Sequence, residues 1–172
     1  MANILVRQRF FHPAILISLA SFVLASPLEA ATVQVPFAVS ATVQQVCAVA
    51  ATNLSFGSYD ASLGSPDDAT GTITVTCTPS SSYSIALNAG TTSGGTEAAR
   101  LMSDGNSHTL TYDLFTDAGH TTKWGDGTMS TVLVSGTADG THQNYTLYGQ
   151  VGTGQFVPSG DYTDTVTATV NY

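Results

Sequence analysis

Val33, Val35, Phe37, Val39, Ala41 and Val43 occupy every second position of TVQVPFAVSATV, residues 32–43. A period of two sends them all to one face of an extended strand. The other face carries Thr, Gln, Pro, Ala, Ser and Thr. Pro36 has no N–H to give to a ladder, so the strand belongs at a sheet edge or is held from one side only. No Asn-Gly, Asp-Gly or Gly-Gly turn folds it back before Cys47. An amphipathic strand of this kind is either the first strand of its own sandwich or a strand offered to another molecule.

The chain beyond it reads as strand after strand. Leu54-Ser55-Phe56-Gly57 is short and apolar, and the polar Gly- and Pro-containing residues 58–70 read as a loop. Residues 71–78 alternate, with Ile73, Val75 and Cys77 on one face, and residues 83–87 alternate again. Leu101-Met102, residues 109–116 with a less clean period, residues 132–135 and residues 145–151 follow, separated by turns at Asp104-Gly105-Asn106, Asp126-Gly127, Asp139-Gly140 and Ser159-Gly160. In the last stretch Tyr162, Asp164, Val166, Ala168, Val170 and Tyr172 share one face, with four threonines and Asn171 on the other. A strand so apolar on one side is expected inside a sheet, yet nothing after it supplies an outer neighbour. Seven or eight short strands at this spacing predict an all-β sandwich or barrel. A spare strand at one terminus and a missing neighbour at the other suggest exchange between molecules.

Ahead of the first strand, Arg7, Arg9 and His12 precede the apolar run AILISLASFVLA, followed by small residues and a proline. That is the pattern of a secretory signal, with cleavage expected after Ala30. The run is shorter than the roughly twenty residues a membrane span needs. Its removal leaves 142 of the 172 residues, the size of one domain with a core. Arg7, Arg9 and Glu29 go with it, so two of four basic residues (Arg100 and Lys123) face eleven of twelve acids, a formal charge of −9. That balance disfavours nucleic acid and anionic membranes as partners.

Cys47 and Cys77 are the only cysteines, and in an exported chain they are expected to form one disulfide. No metalloprotease, nucleophile-elbow, P-loop or dinucleotide motif occurs. His108, His120 and His142 fall in polar segments and read as exposed loop residues. Asp113, Asp117 and Asp126 could pair for glycoside hydrolysis only by converging in space. No catalytic residue, metal or cofactor is expected. Trp124, the sole tryptophan, reads as packing a loop on the sandwich, with a surface adhesion anchor as the alternative.

Taken in order, the alternation before Cys47, Leu54-Ser55-Phe56-Gly57, Ile73-Thr74-Val75-Thr76-Cys77, Arg100-Leu101-Met102, residues 110–117, Trp124-Gly125-Asp126-Gly127, Tyr148-Gly149-Gln150-Val151 and residues 160–166 resemble the spore coat protein U domain family, which supplies subunits of archaic chaperone-usher pili. The resemblance implies an incomplete immunoglobulin-like, pilin-type β-sandwich (residues 42–172) completed by a donor strand. A periplasmic chaperone would lend that strand first. At an outer-membrane usher, the N-terminal strand (residues 31–41) of a neighbouring subunit would replace it. The donor side chains would be Val33, Val35, Phe37, Val39 and Ala41, and the acceptor groove would be lined partly by Val166, Ala168 and Val170. The product would be a structural subunit of a surface fibre or coat, exported through the periplasm and supporting adhesion or biofilm formation, and not an enzyme. The alternative is a self-contained secreted sandwich that binds a carbohydrate or another surface ligand.

Overall fold

In the computed structural model the described residues are 29–172, and most of the predicted export signal lies outside them. Chain contacts separate residues up to Ser40 from the unit Ala41–Tyr172. The second unit holds eight strands: β1 (Cys47–Ala51), β2 (Asp67–Cys77), β3 (Ser82–Leu87), β4 (Arg100–Ser103), β5 (Thr109–Phe115), β6 (Val134–Thr137), β7 (Gln143–Val151) and β8 (Ala168–Asn171). Every strand pairing is antiparallel. One sheet has the order β1-β2-β7-β5-β4, the other β6-β3-β8.

Alternation builds the core. Ile73, Val75 and Cys77 of β2, Tyr83, Ile85 and Leu87 of β3, and Leu110, Tyr112 and Leu114 of β5 are all buried. Their neighbours at the odd steps turn outward, as a period of two requires. Cys47 and Cys77 are register partners across β1 and β2 and are joined by a disulfide. Closing a loop over a separation of 30 residues contributes about 3–4 kcal/mol in the chain-entropy account. Reduction should therefore lower the urea midpoint by the equivalent of about 3 kcal/mol, measurable by denaturation with and without reductant.

Between β1 and β7 the structure departs from the sequence expectation in β2, in β5 and in the segment that joins β1 to β2. Asp67–Thr70, expected as loop, extend β2 by pairing with residues 148–151 of β7. Their polar composition reflects a sheet end facing water, not an absence of ladder. Leu54 and Phe56 are in no strand. They pack over Gly149, where an added Cβ would come within 3.0 Å of both side chains. Phe115 breaks the period of β5 because it is buried on the outer face, edge-on to His120 with ring centroids 5.1 Å apart.

Arg100 is fully buried. Its guanidinium donates to the carbonyls of Asn88 (2.9 Å), Glu97 (3.0 Å), Trp124 (3.0 Å) and Leu87 (3.4 Å). Burial lowers its pKa, opposed by the nearby Tyr112, Glu97, Asp113 and Asp164. Trp124 is also buried, so it is no surface anchor. Its indole N–H donates to the Ile85 carbonyl at 3.0 Å, and its backbone N–H to Leu114 at 2.8 Å. The other fixed cation among the described residues, Lys123, pairs with Asp113 at 2.9 Å.

Candidate functional site

The sandwich is open along one side. Between residues 51–61 and residues 155–168 lies a groove of about 1520 Å³. Its floor is apolar core, including Ile73, Leu87, Leu110, Leu114 and Val151. Leu54 and Phe56 line it on one side, and Val166 and Ala168 on the other. Val170 packs against the core at the end of β8 without lining the groove.

The C-terminal segment is held along one edge only. Thr163 exchanges two backbone hydrogen bonds with Ser103, 2.9 and 3.0 Å. The Asn88 N–H donates to the Thr167 carbonyl at 3.2 Å, and the Thr167 N–H donates to Asn88 Oδ1 at 2.8 Å. From Ala168 the segment pairs with β3. Successive residues of an extended strand aim their N–H and C=O at opposite edges. The odd-numbered residues therefore serve the sheet, and Tyr162, Asp164, Val166, Ala168 and Val170 present their peptide groups to the open edge. Among the described residues no strand pairs with that edge. Burial follows the same parity: residues 162–170 alternate half-buried and exposed, as their side-chain pattern predicts. The regular ladder, however, covers only Ala168–Asn171, and Tyr172 is exposed.

Asp164 is the one acid on the half-buried face of residues 162–170. Its Oδ2 accepts the Tyr112 hydroxyl at 2.6 Å. Its Oδ1 accepts the backbone N–H groups of Thr91 (2.8 Å) and Thr92 (3.0 Å) and both of their hydroxyls (3.2 Å each). Gly90 makes this possible: its φ is +90°, and a Cβ there would overlap the Asp164 carboxylate. Burial alone would raise the Asp164 pKa, but hydrogen bonds from Tyr112, Thr91, Thr165 and Thr92 outweigh it and hold it below the usual carboxylate value. Burial, then Asp164, pushes the Tyr112 phenol up. A carboxylate depressed in the folded state stabilises the fold fully above its unfolded pKa of about 3.9 and loses that contribution as the pH falls through the folded value. Asp164→Asn should lower the melting temperature at pH 7, with the gap to the parent chain closing as the pH is taken from about 5 to below 3.

Side chains tie the two groove walls together. The Tyr59 hydroxyl donates to the Gly152 carbonyl (2.8 Å) and accepts from the Gln155 N–H (3.0 Å). The Gln155 amide pairs with the backbone of Thr111 at 2.8 and 2.9 Å, as a peptide group would.

Residues 29–46 have no regular secondary structure, in contrast to the strand expected over residues 32–43. In that stretch Val33 (92%), Val35 (79%), Phe37 (84%) and Val39 (84%) are exposed, as is Ala41. These apolar side chains find no burial within their own chain.

The sequence pointed to Val166, Ala168 and the last strand but missed Tyr112, Leu54, Phe56 and the Asp164 cluster. The signal for Asp164 was an acid on an otherwise apolar and aromatic face. Asp113, Asp117 and Asp126 have separate partners: Lys123, the Thr121–Thr122 backbone and Thr128. Among the described residues no three His, Cys, Asp or Glu side chains gather as metal ligands would.

The sequence matches the family model of the Spore Coat Protein U domain over residues 33–169. It is 33% identical to Protein U of Myxococcus xanthus over 167 residues, which span 89% of this chain and 92% of that protein. The fold is similar, with a TM-score of 0.55 and 26% identity, to a chain in the crystal structure of the CsuC–CsuE chaperone-tip adhesion subunit pre-assembly complex from the archaic chaperone-usher Csu pili of Acinetobacter baumannii. The match covers 76% of this chain and 40% of that one, so this chain spans less than half of its structural neighbour. The two antiparallel sheets are those of a chaperone-usher pilin-type sandwich.

Proposed function

This chain belongs to the spore coat protein U domain family, and from that membership we propose that it is a structural subunit of a surface fibre or coat, assembled by the chaperone-usher route through donor-strand exchange. The observation that carries the reading is the groove with its unpaired strand edge, in a chain that also holds an exposed alternating segment. Residues 33–41 of one copy lie along the groove of the next. Main-chain hydrogen bonds hold them to the edge, and Val33, Val35, Phe37, Val39 and Ala41 face the core. Chaperone-pilin complementation is a named example of this strand-addition mode.

Each large apolar side chain moved from water into the groove contributes about 1.5–3 kcal/mol, on the order of 10 kcal/mol gross for the set. Ordering of the segment reduces that sum. The drive is completion of a fold, so assembly needs no hydrolysis at the site, and the role is non-enzymatic. Before assembly, a periplasmic chaperone covers the groove, as the chaperone in the Csu pre-assembly complex suggests. An outer-membrane usher then hands the subunit to the fibre at the cell surface, where it supports adhesion or biofilm formation.

The test compares the mature chain with a truncation starting at Ala41, with a peptide of residues 32–40 added back. The expected result is heat-resistant ladders from the full chain, an unstable truncation that makes none, and a sharply melting monomer once the peptide is supplied. Equal monomeric stability of both forms, with no effect of the peptide, would overturn the reading and favour the self-contained binding domain.

A further inference from the structure

The groove wall is uneven, and so is the segment proposed to fill it. Facing into the groove along the open edge are Asp164, Val166 and Ala168, with the smallest side chain at 168 and the one carboxylate of the three at 164. Along the exposed segment, Val35, Phe37, Val39 and Ala41 place the largest side chain at 37 and the smallest at 41. Both pairs of special positions are four residues apart. Resting on the donor-strand reading above, we infer that Asp164, held by Tyr112, is the positioning residue of the groove: it admits Ala41 of a second copy and, in a segment running antiparallel to β8, thereby sets Phe37 opposite Ala168.

Shifting this register by two residues in either direction puts Val39 or Val43 onto the carboxylate. The Asp164 oxygens are already engaged by five donors. A bulkier apolar group pressed against them strips what hydration remains, and nothing in the incoming side chain compensates. An alanine methyl intrudes least. The same register seats the Phe37 ring where the wall has only the methyl of Ala168.

Pro36 fixes the direction. In an antiparallel pairing, residues directly opposite the outward-aimed peptides of β8 form the hydrogen bonds, and these are the odd-numbered residues of the segment. Pro36 then points away from β8, and its missing N–H costs that ladder nothing. In a parallel pairing the bonds go to the residues on either side, the even-numbered ones. The ladder would then lose the bond that Pro36 cannot make.

The test uses the full mature chain. Ala38→Cys is combined in turn with Thr165→Cys, Thr167→Cys or Thr169→Cys, all on the exposed face, and the oxidised products are separated under denaturing, non-reducing conditions. In the inferred register Ala38 lies opposite Thr167 as a non-hydrogen-bonded pair with Cα atoms about 4.5 Å apart, close enough for a disulfide. The expected result is a covalent ladder from the Thr167 pair, at least about tenfold above the other two. A ladder dominated by the Thr165 or Thr169 pair overturns the register and leaves the donor-strand reading standing. No ladder from any pair overturns both.

The role of Asp164 is read from the incoming side, at Ala41, which is exposed and precedes the first strand. In the Thr167 pair, Ala41→Glu should lower the ladder about tenfold more than Ala41→Lys, because like charges at contact cost on the order of 1.4 kcal/mol or more. The difference should shrink as salt is raised. Equal losses from Glu and Lys, or a salt-independent difference, overturn the assignment of Asp164.

Discussion

Phe37→Asp in the mature chain forms no heat-resistant oligomer and leaves the subunit as marginally stable as the unassembled parent. The side chain is 84% exposed in the free segment, so its replacement removes nothing from the sandwich, and the melting curve of the monomer should not move. Assembly would bring the aspartate into an apolar groove without a partner, and it would forfeit the burial of an aromatic ring, about 2–3 kcal/mol. Together with the desolvation of a carboxylate, this exceeds 3 kcal/mol, a loss of more than a hundredfold in the assembly constant. Ala38→Asp, one residue on, faces outward in the same strand and should assemble nearly as the parent does. Denaturing gels of unheated samples compare the two. If both substitutions behave alike, the period-two reading of residues 32–43 fails.

Arg100→Ala should lower the unfolding free energy by about 4 kcal/mol. Four carbonyls, two of them bonded within the buried core, lose their donor, and each buried acceptor left unmet costs about 1–3 kcal/mol. Arg100→Lys keeps the charge, but a single ammonium cannot reach carbonyls that a planar fork reaches from separate nitrogens. It should recover less than half of the loss. Urea denaturation of the three chains, each with the disulfide intact, checks the order Arg, Lys, Ala.

Where one face of a strand is buried and the other wet, the sequence already carried the answer. Ile73, Val75 and Cys77, then Tyr83, Ile85 and Leu87, are read from alternation alone and are buried. The parity of residues 162–170 is equally plain, because the same period governs side chains whether or not a neighbouring strand is present. Arg100 was invisible for the opposite reason. A guanidinium satisfied by carbonyls has no periodic signature, and its partners lie at residues 87, 88, 97 and 124. Asp67–Thr70 were hidden by composition, since a polar strand end and a loop use the same residues. Phe115 was hidden because its cover comes from a loop, with His120 against its ring. The groove itself was foreshadowed by a spare strand and a missing neighbour. Its second wall was not, because Leu54 and Phe56 pack there outside any ladder.

The disulfide between Cys47 and Cys77 also has a mechanical meaning. In a fibre joined through residues 33–41, a pull on one subunit enters the next through the few residues before Cys47. Without the bond, that tension would act on β1 alone, an edge strand with a single neighbour, and would peel its five register pairs from β2 one after another. With the bond, the load passes straight into β2 at Cys77. From there it is shared with β7 through nine register pairs. One covalent link at the mouth of the domain thus moves the load from an edge strand to an interior strand with two neighbours, and reduced fibres should rupture at lower force than oxidised ones.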